Sequence, residues 1–193
     1  MSAQMERPAD EELLFQPTLS INGLITPETV SFAVGRLEDI RTSGKPLIVE
    51  LNTDGGDADA ARRIALEVRL FRKHSSQPAY CVGKSNVYSA GVTILGAFPR
   101  DMRFLTEDAI LLIHERRLES SIELSGPIRS CLQIVRDQLS LLETAQDLEM
   151  AGFQQLVEGS NLTVDELYEM ATKNCYMKAE KALEHRLIGG IFK

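Results

Sequence analysis

The chain has 193 residues, and at roughly 150 residues per domain this length predicts one domain with short extensions. It carries 21 Lys and Arg against 28 Asp and Glu, a net charge of −7, so it lacks the clustered basic residues that bind nucleic-acid phosphates or an anionic membrane. Its first residues contain no apolar signal segment, and its longest apolar run, residues 109–113, is far below the ~20 residues of a transmembrane helix. We therefore expect a cytoplasmic globular protein with neither nucleic acid nor membrane as a partner.

The three cysteines, Cys81, Cys131 and Cys175, are scattered, without a CxxC motif or the Cys/His spacing of a zinc site. Each is predicted to be a small buried apolar residue. The phosphate-binding pattern G-x-x-x-x-G-K-[ST] is also missing from the sequence. The sequence therefore predicts neither a metal nor a cofactor.

In chain order, short apolar stretches alternate with segments of helical periodicity. The first apolar stretch, residues 19–21, runs into Asn22-Gly23, a turn signal. Thr26 and Pro27 then predict the cap and the first residue of a helix. Further strands are predicted at residues 47–52, 79–83, 102–105 and 109–113, and further helices at residues 60–73, 88–98, 128–151, 164–172 and 179–185.

This alternation of strands and helices predicts an α/β fold with buried parallel strands. Ligands of such folds bind where loops leave the carboxyl ends of the strands. Residues 1–14 are expected to form a flexible tail, and residues 15–193 a single domain.

A glycine pair, Gly55-Gly56, lies between a predicted buried strand and a predicted helix. Without side chains, this backbone can approach a ligand closely and present its N–H groups, and a helix N-terminus favours developing negative charge. The pair predicts either an oxyanion-binding element or a tight strand-to-helix turn, and the sequence leaves both open.

The segment Ser89-Ala90-Gly91 lies at a predicted transition from strand to helix. There the hydroxyl of Ser89 would be exposed at the helix N-terminus as a candidate nucleophile. The alternative is that Ser89, or nearby Ser85, is an ordinary N-cap.

His114 follows the apolar strand at residues 109–113, where catalytic side chains collect in α/β folds. The two other histidines, His74 and His185, lie in polar segments that are expected to be solvated. His114 is therefore the best candidate base, the alternative being a packed or capping histidine. A nucleophile, a base and an oxyanion stabiliser together are what acyl transfer needs.

These segments resemble the proteolytic subunit of the ATP-dependent Clp protease, ClpP, a family of serine peptidases with the ClpP/crotonase-like α/β fold. The family's N-S-P-G-G loop is similar to the segment 52–56, its S-[AM]-G segment to Ser89-Ala90-Gly91, and its M-I-H segment to Leu112-Ile113-His114. The separation of 25 residues (114 minus 89) between the serine and the histidine is usual for the family. Residues 176–189 are similar to a C-terminal segment of the family, so that the resemblance spans roughly residues 19–192.

The resemblance implies Ser89 as nucleophile, His114 as general base, and the backbone N–H groups of Gly56 and Ala90 as oxyanion hole. It implies mostly parallel sheets with flanking helices and a protruding long handle helix, here the helix at residues 128–151, which joins two rings. It also implies a homo-oligomer of heptameric rings that enclose the sites, with peptides or unfolded proteins as substrates. An ATP-dependent unfoldase is implied as a partner only weakly, because the residues before Leu19 lack a recognisable docking loop.

Two departures from the family stand near the predicted site. The family's third triad residue is usually Asp, and this chain has Asn174 at that position. An Asn carbonyl can still accept the Nδ1–H bond of a histidine, so the resemblance implies Asn174 as the third member of a weaker triad, since Asn in place of Asp costs activity in other triads. His114 is also followed by Glu115-Arg116-Arg117, where the family usually has Gln-Pro. The alternatives for the third member are Asp165, Glu166 and Glu169.

The sequence therefore predicts a serine endopeptidase that cuts peptide bonds through a Ser-His-(Asn/Asp) triad. Two other functions stay open. One is a catalytically weak or silent ClpP-like subunit with a structural role in a ring. The other is a crotonase-type enzyme acting on acyl-CoA.

Overall fold

The computed structural model describes residues 8–193. Its strands and helices alternate along most of the chain, as the sequence predicted. The strands are β1 Leu19–Ile25, β2 Leu47–Gly56, β3 Ala79–Tyr88, β4 Arg103–Thr106, β5 Ile110–Ile113, β6 Cys175–Lys178 and β7 Gly190–Phe192. The helices are α1 Asp10–Phe15, α2 Pro27–Ser43, α3 Ala58–His74, α4 Ala90–Leu95, α5 Ile128–Val157, α6 Val164–Ala171 and α7 Ala179–Glu184.

The seven strands form one sheet in which all pairings are parallel except that of β5 with β6. Strand β3 is central and forked: its residues 81–83 pair with β4, while its residues 86–88 pair with β5. This mostly parallel sheet with flanking helices confirms the predicted α/β class. It also brings the carboxyl ends of β2, β3 and β5 together.

Successive side chains of a strand point to opposite faces of a sheet, so the long buried strands supply two cores. The larger core lies between the sheet and most of the helices. The smaller one includes Leu13 of α1, which lies against Ile48, Tyr80 and Phe104 on the other face. Residues 1–7 of the predicted flexible tail lie outside the described residues, and from Asp10 onward the structure has helix α1, anchored by Leu13.

The start of α2 follows from its sequence. The Thr26 side chain accepts a hydrogen bond from the N–H of Thr29, and the Thr29 side chain accepts one from the N–H of Thr26, which forms a capping box. Pro27 occupies the first helical turn, and Gly44 ends the helix with a φ of 67°.

The turn signal at Asn22-Gly23 does not end β1: the strand continues through a shift of register there, with Gly23 at a φ of 81°.

Arg103 is the largest polar side chain in the interior, with 1% of its surface exposed. Its guanidinium donates hydrogen bonds to five main-chain carbonyls, at 2.7–3.2 Å, from the chain after α4, from the end of α5 and from the segment before β7. Burial lowers the pKa of Arg103 to about 10, so the side chain is still charged at neutral pH. The accepting residues are Gly96, Phe98, Gln155, Leu156 and Leu187.

Within residues 8–193, none of the helices combines the length and the apolar character needed to span a membrane. The three cysteines are free thiols. Cys81 is fully buried, as predicted, and burial raises the pKa of its thiol, so it is unreactive. Cys131 and Cys175 are only partly buried.

Candidate active site

Ser89 and His114 lie at neighbouring strand ends. Strands β3 and β5 are parallel, with Tyr88 opposite Leu112, so the residues that follow each strand leave the same edge of the sheet. The N–H of Ser89 donates to the carbonyl of Leu112 at 2.8 Å and fixes this junction. The expectation that a site forms at the carboxyl ends of the strands thus has a clear structural basis.

The backbone of Ser89 has a φ of 53° and a ψ of −115°, a combination that non-glycine residues rarely adopt. Ser89 occupies the N-cap position of α4, yet its hydroxyl makes no capping hydrogen bond. The geometry therefore does not fit the ordinary N-cap that the sequence left open. A strained serine at a strand-to-helix turn, with an uncommitted hydroxyl, is typical of a nucleophile.

The glycine pair lies against this serine. A Cβ atom at Gly55 would lie 2.7 Å from the Cβ of Ser89, and one at Gly56 would lie 2.3 Å from the carbonyl oxygen of Ile25. Both positions have positive φ, 99° and 138°. Close packing alone thus requires glycine here, and Gly56 also lines the cleft described below. Both interpretations of the pair, a tight turn and a cleft element, fit the structure.

A cleft of about 430 Å³ contains four of the five predicted site residues: Gly56, Ser89, Ala90 and His114. Ala90 opens α4, so its N–H has no acceptor within the helix. The far wall comes from the second half of α5, with Gly152, Phe153 and Leu156 among its residues. Apart from Glu149 this wall is apolar. Other charged groups that line the cleft come from α3 and from the residues after His114.

The ring of His114 is half-buried, and its Nδ1 lies 2.6 Å from the main-chain carbonyl oxygen of Glu115. Among the described residues, no hydrogen bond joins Ser89 to His114. Catalytic hydrogen bonds are often long without substrate and shorten when it binds. His74 is exposed at the end of α3, whereas His185 is half-buried after α7.

Asn174, the fifth predicted site residue, lies next to the histidine across the sheet, but its side chain bonds another residue. Strand β6 is antiparallel to β5 and pairs Cys175 with Ile113, so Asn174 follows opposite His114. Its side-chain oxygen accepts a hydrogen bond from Arg117 at 3.2 Å, and the residue is exposed. Of the carboxylates considered as alternatives, Glu166 is engaged in the capping box of α6 with Thr163.

The segment Glu115-Arg116-Arg117 departs from the family pattern. Besides the bond from Arg117 to Asn174, it makes side-chain contacts with helices α3, α5 and α6. The Arg116 guanidinium bonds Asp59 of α3 at 2.8 Å. The Arg116 N–H donates to the Glu149 carboxylate of α5, and the Tyr168 hydroxyl of α6 donates to Glu115 at 3.2 Å.

These contacts change two ionisation equilibria. The hydrogen bond from Arg116, helped by Arg62, holds the pKa of Asp59 below its usual value. The hydrogen bond to the Glu115 carboxylate raises the pKa of Tyr168. At neutral pH both shifts favour the protonation state that makes the hydrogen bond, which is the ionised carboxylate of Asp59 and the neutral hydroxyl of Tyr168.

No three His, Cys, Asp or Glu side chains within residues 8–193 are grouped so as to hold a metal ion.

The family comparison agrees with this geometry. The sequence pattern of the Clp protease family matches residues 37–193, which is most of the chain. The chain belongs to the Clp protease family. The resemblance seen in the motifs is confirmed, and the mostly parallel sheet with its flanking helices is consistent with the ClpP fold.

Two relatives within the Clp protease family carry the same description, ATP-dependent Clp protease proteolytic subunit 2. The one from Treponema pallidum (strain Nichols) is 26% identical in an alignment of 162 positions, which covers 81% of this chain and 71% of the relative. The one from Treponema denticola (strain ATCC 35405) is 22% identical in an alignment of 196 positions, which covers 95% of this chain and 88% of the relative. Identity this low supports membership of a peptidase family and leaves the roles of individual residues to be argued from the structure.

Several residues at the site were not found from the sequence. Thr53 is buried, accepts a hydrogen bond from the N–H of Gly55 at 3.0 Å and donates to the carbonyl of Gly23 at 2.5 Å, so it supports the glycine pair. Glu149 and Tyr168 reach the site from helices distant in sequence. The only signal for them was the departure after His114, which showed that the surroundings of the histidine differ from the family pattern.

Proposed function

We propose that the protein is a serine endopeptidase of the ClpP type, which cleaves peptides or unfolded proteins. The observation that carries this proposal is the strained backbone of Ser89, whose hydroxyl is free of capping and shares one cleft with His114. Membership of the Clp protease family supports it. The apolar wall formed by α5 suits the side chains of an extended peptide.

In this proposal His114 is the general base. Its Nε2 accepts the proton of the Ser89 hydroxyl as Oγ attacks the carbonyl carbon of the scissile peptide bond. The protonated ring then gives that proton to the leaving amine, and Ser89 is left as an ester of the acyl half of the substrate. A water molecule, deprotonated by the same ring, hydrolyses the ester and restores the serine.

The developing oxyanion would bind the N–H groups of Gly56 and Ala90, which line the cleft. Preorganised N–H donors of this kind are among the largest contributions to catalysis of acyl transfer, about 10²–10³ in turnover for a single donor. The N-terminal position of Ala90 in α4 leaves its N–H available for this role.

The proposal is tested by treating the purified protein with a fluorophosphonate probe, which phosphonylates activated serines. We expect one modified residue, Ser89, identified by mass spectrometry of the labelled peptide. Ser85 also has a positive φ of 53°, but among the described serines Ser89 is the one that lines the cleft with His114, so the other serines act as internal controls. Labelling spread over several serines, or none at all in the assembled protein, would contradict the proposed activity.

We further propose that the sites are enclosed in a homo-oligomer of heptameric rings stacked in pairs. Helix α5 supports this proposal, because an apolar stripe with the alternating spacing of four and three residues runs along its first half. Phe153 and Leu156 near the end of the helix are buried in the core, whereas the stripe is uncovered, with 43–76% of each of its residues exposed. A second copy of the same helix is the natural partner for such a stripe. Its exposed members are Ile128, Leu132, Val135, Leu139 and Leu142.

The substitution Leu139→Glu places a charge in the middle of this stripe. If α5 joins two rings, we expect the mass measured by light scattering to fall by half, because burying an unpaired carboxylate at the interface is costly. The same substitution at Leu183 on α7, which is also exposed, is the matched control and leaves the mass unchanged. A wild-type mass of 21.4 kDa, that of one chain, would contradict assembly altogether.

A catalytically silent ring subunit is the second candidate, and one observation favours it: Asn174 bonds Arg117 instead of the histidine. An intact assembly that resists the probe would support this candidate over the peptidase. An ATP-dependent unfoldase remains a proposed partner, supported by the family alone.

A further inference from the structure

We propose that Glu149 orients the ring of His114 through the peptide group that joins Glu115 to Arg116. One planar peptide group has a carbonyl at one end and an N–H at the other. Here the carbonyl of Glu115 contacts Nδ1 of His114, and the N–H of Arg116 donates to the carboxylate of Glu149. The inference rests on the proposed roles of Ser89 and His114, and it makes Glu149 a positioning residue.

The first contact fixes the tautomer of the ring. A carbonyl oxygen can only accept a hydrogen bond, so Nδ1, at 2.6 Å from the Glu115 oxygen, must carry the proton. In the neutral ring the lone pair then lies on Nε2, which is the atom that must receive the proton of Ser89. This is the arrangement that the carboxylate of a triad enforces by direct contact.

The second contact supplies charge. A carboxylate that accepts a peptide N–H polarises the peptide and makes its carbonyl a stronger acceptor, since hydrogen bonds in a chain reinforce one another. The carboxylate of Glu149 therefore strengthens the hydrogen bond from Nδ1 to the Glu115 carbonyl, although it does not contact the ring. Glu149 also lines the cleft and is half-buried, so its charge is only partly screened by water.

Other contacts of the segment are weaker. The pair of Arg116 with Asp59 is largely exposed on the Asp59 side, and exposed pairs contribute about 0–1 kcal/mol. Asn174 has its side-chain oxygen engaged by Arg117. Among the hydrogen bonds found within residues 8–193, the relay from Glu149 is thus the one that reaches a ring nitrogen of His114.

The test compares Glu149→Ala with Asn174→Ala in two measurements on the assembled protein. The first is the second-order rate of Ser89 labelling by a fluorophosphonate probe. The second is the tautomer of His114, read from the ¹⁵N resonances of histidine-labelled protein. Only three histidines are present, and the signal of His114 is the one that His114→Gln removes.

For Glu149→Ala we expect labelling to slow by about 10–100-fold, by analogy with the loss found when the outer hydrogen-bond partner of a metal-bound histidine is removed, and the Nε2–H tautomer to gain population. Glu149→Gln keeps an acceptor for the Arg116 N–H without the charge, so it should retain the Nδ1–H tautomer and lose less of the rate. Glu67→Ala on α3 is the matched control: it deletes a carboxylate paired with Arg63 outside the cleft and should leave both measurements unchanged.

The inference is overturned if Asn174→Ala shifts the tautomer and slows labelling more than Glu149→Ala does. It is equally overturned if Glu149→Ala changes neither measurement. The tautomer is read without any reaction at Ser89, so it tests the relay even if the serine proves unreactive. If the probe does not label the wild-type protein, but Glu149→Ala still shifts the tautomer of His114, the proposed peptidase activity is contradicted and the relay is supported.

Discussion

Replacing His114 with alanine is expected to slow the labelling of Ser89 about a thousandfold or more. A serine hydroxyl is almost fully protonated at neutral pH and is a weak nucleophile until a base accepts its proton. General-base catalysis typically contributes about 10²–10⁴, and removal of the histidine of an established triad costs about as much as removal of the whole triad. The measurement is the second-order rate of probe incorporation, with Ser89→Ala as the zero reference.

The matched control is His74→Ala, since His74 is exposed at the end of α3 and outside the cleft. Its labelling rate should equal that of the wild type. If His114→Ala labelled as fast as the wild type, another group would be the base, and the assignment of His114 would be withdrawn.

The long buried strands and the helices were predictable because their signals are local. Strand β2 begins with the apolar run Leu47–Val49, and α2 carries its cap and its stop at Thr26 and Gly44, so each needs only its own residues to be recognised. Strands β6 and β7 have four and three residues, and they exist because β5 and β4 offer edges to pair with. Such short strands are a product of tertiary structure and leave almost no pattern in the sequence.

The residues of the site divide in the same way. Ser89 and His114 each follow a strand with a clear signal, Gly56 ends another, and parallel strands that pair must end at the same edge. Asn174 was placed by resemblance, and the register of β6 does bring it opposite His114, but its side chain bonds Arg117. The resemblance could thus place the backbone of residue 174 near the histidine, whereas the pairing of its side chain could not be predicted.

Glu149 lies 35 residues beyond His114 (149 minus 114), in the middle of a helix with no special composition there. It acts on a main-chain N–H, and any residue at position 116 other than proline would offer one. No sequence pattern can therefore mark the contact. The departure after the histidine indicates only that its surroundings differ from the family pattern.

The substitution Arg103→Met is expected to lower the free energy of unfolding by about 3–5 kcal/mol, because several buried carbonyls lose their donor at a cost of about 1–3 kcal/mol each, partly offset where water or other donors reach them. Methionine fills a similar volume, so the loss comes from the five carbonyls that the guanidinium satisfies, each of which is costly to bury without a donor. Two of them, on Gln155 and Leu156, belong to the last turn of α5, and a cation there also offsets the negative end of the helix dipole. Urea unfolding followed by circular dichroism gives the measurement.

Arg100→Met is the matched control, because Arg100 lies three residues earlier and pairs with Asp101, whose side chain is largely exposed. Its expected loss is below about 1 kcal/mol. Arg103→Lys separates charge from geometry: an ammonium keeps the charge but has three donors for five carbonyls, so it should recover only part of the loss. A loss at Arg103→Met no larger than that of the control would mean that the carbonyls find other donors. The same guanidinium joins the end of α4 to the end of α5, and both helices line the cleft. A large loss would therefore also show that Arg103 holds these two helices together.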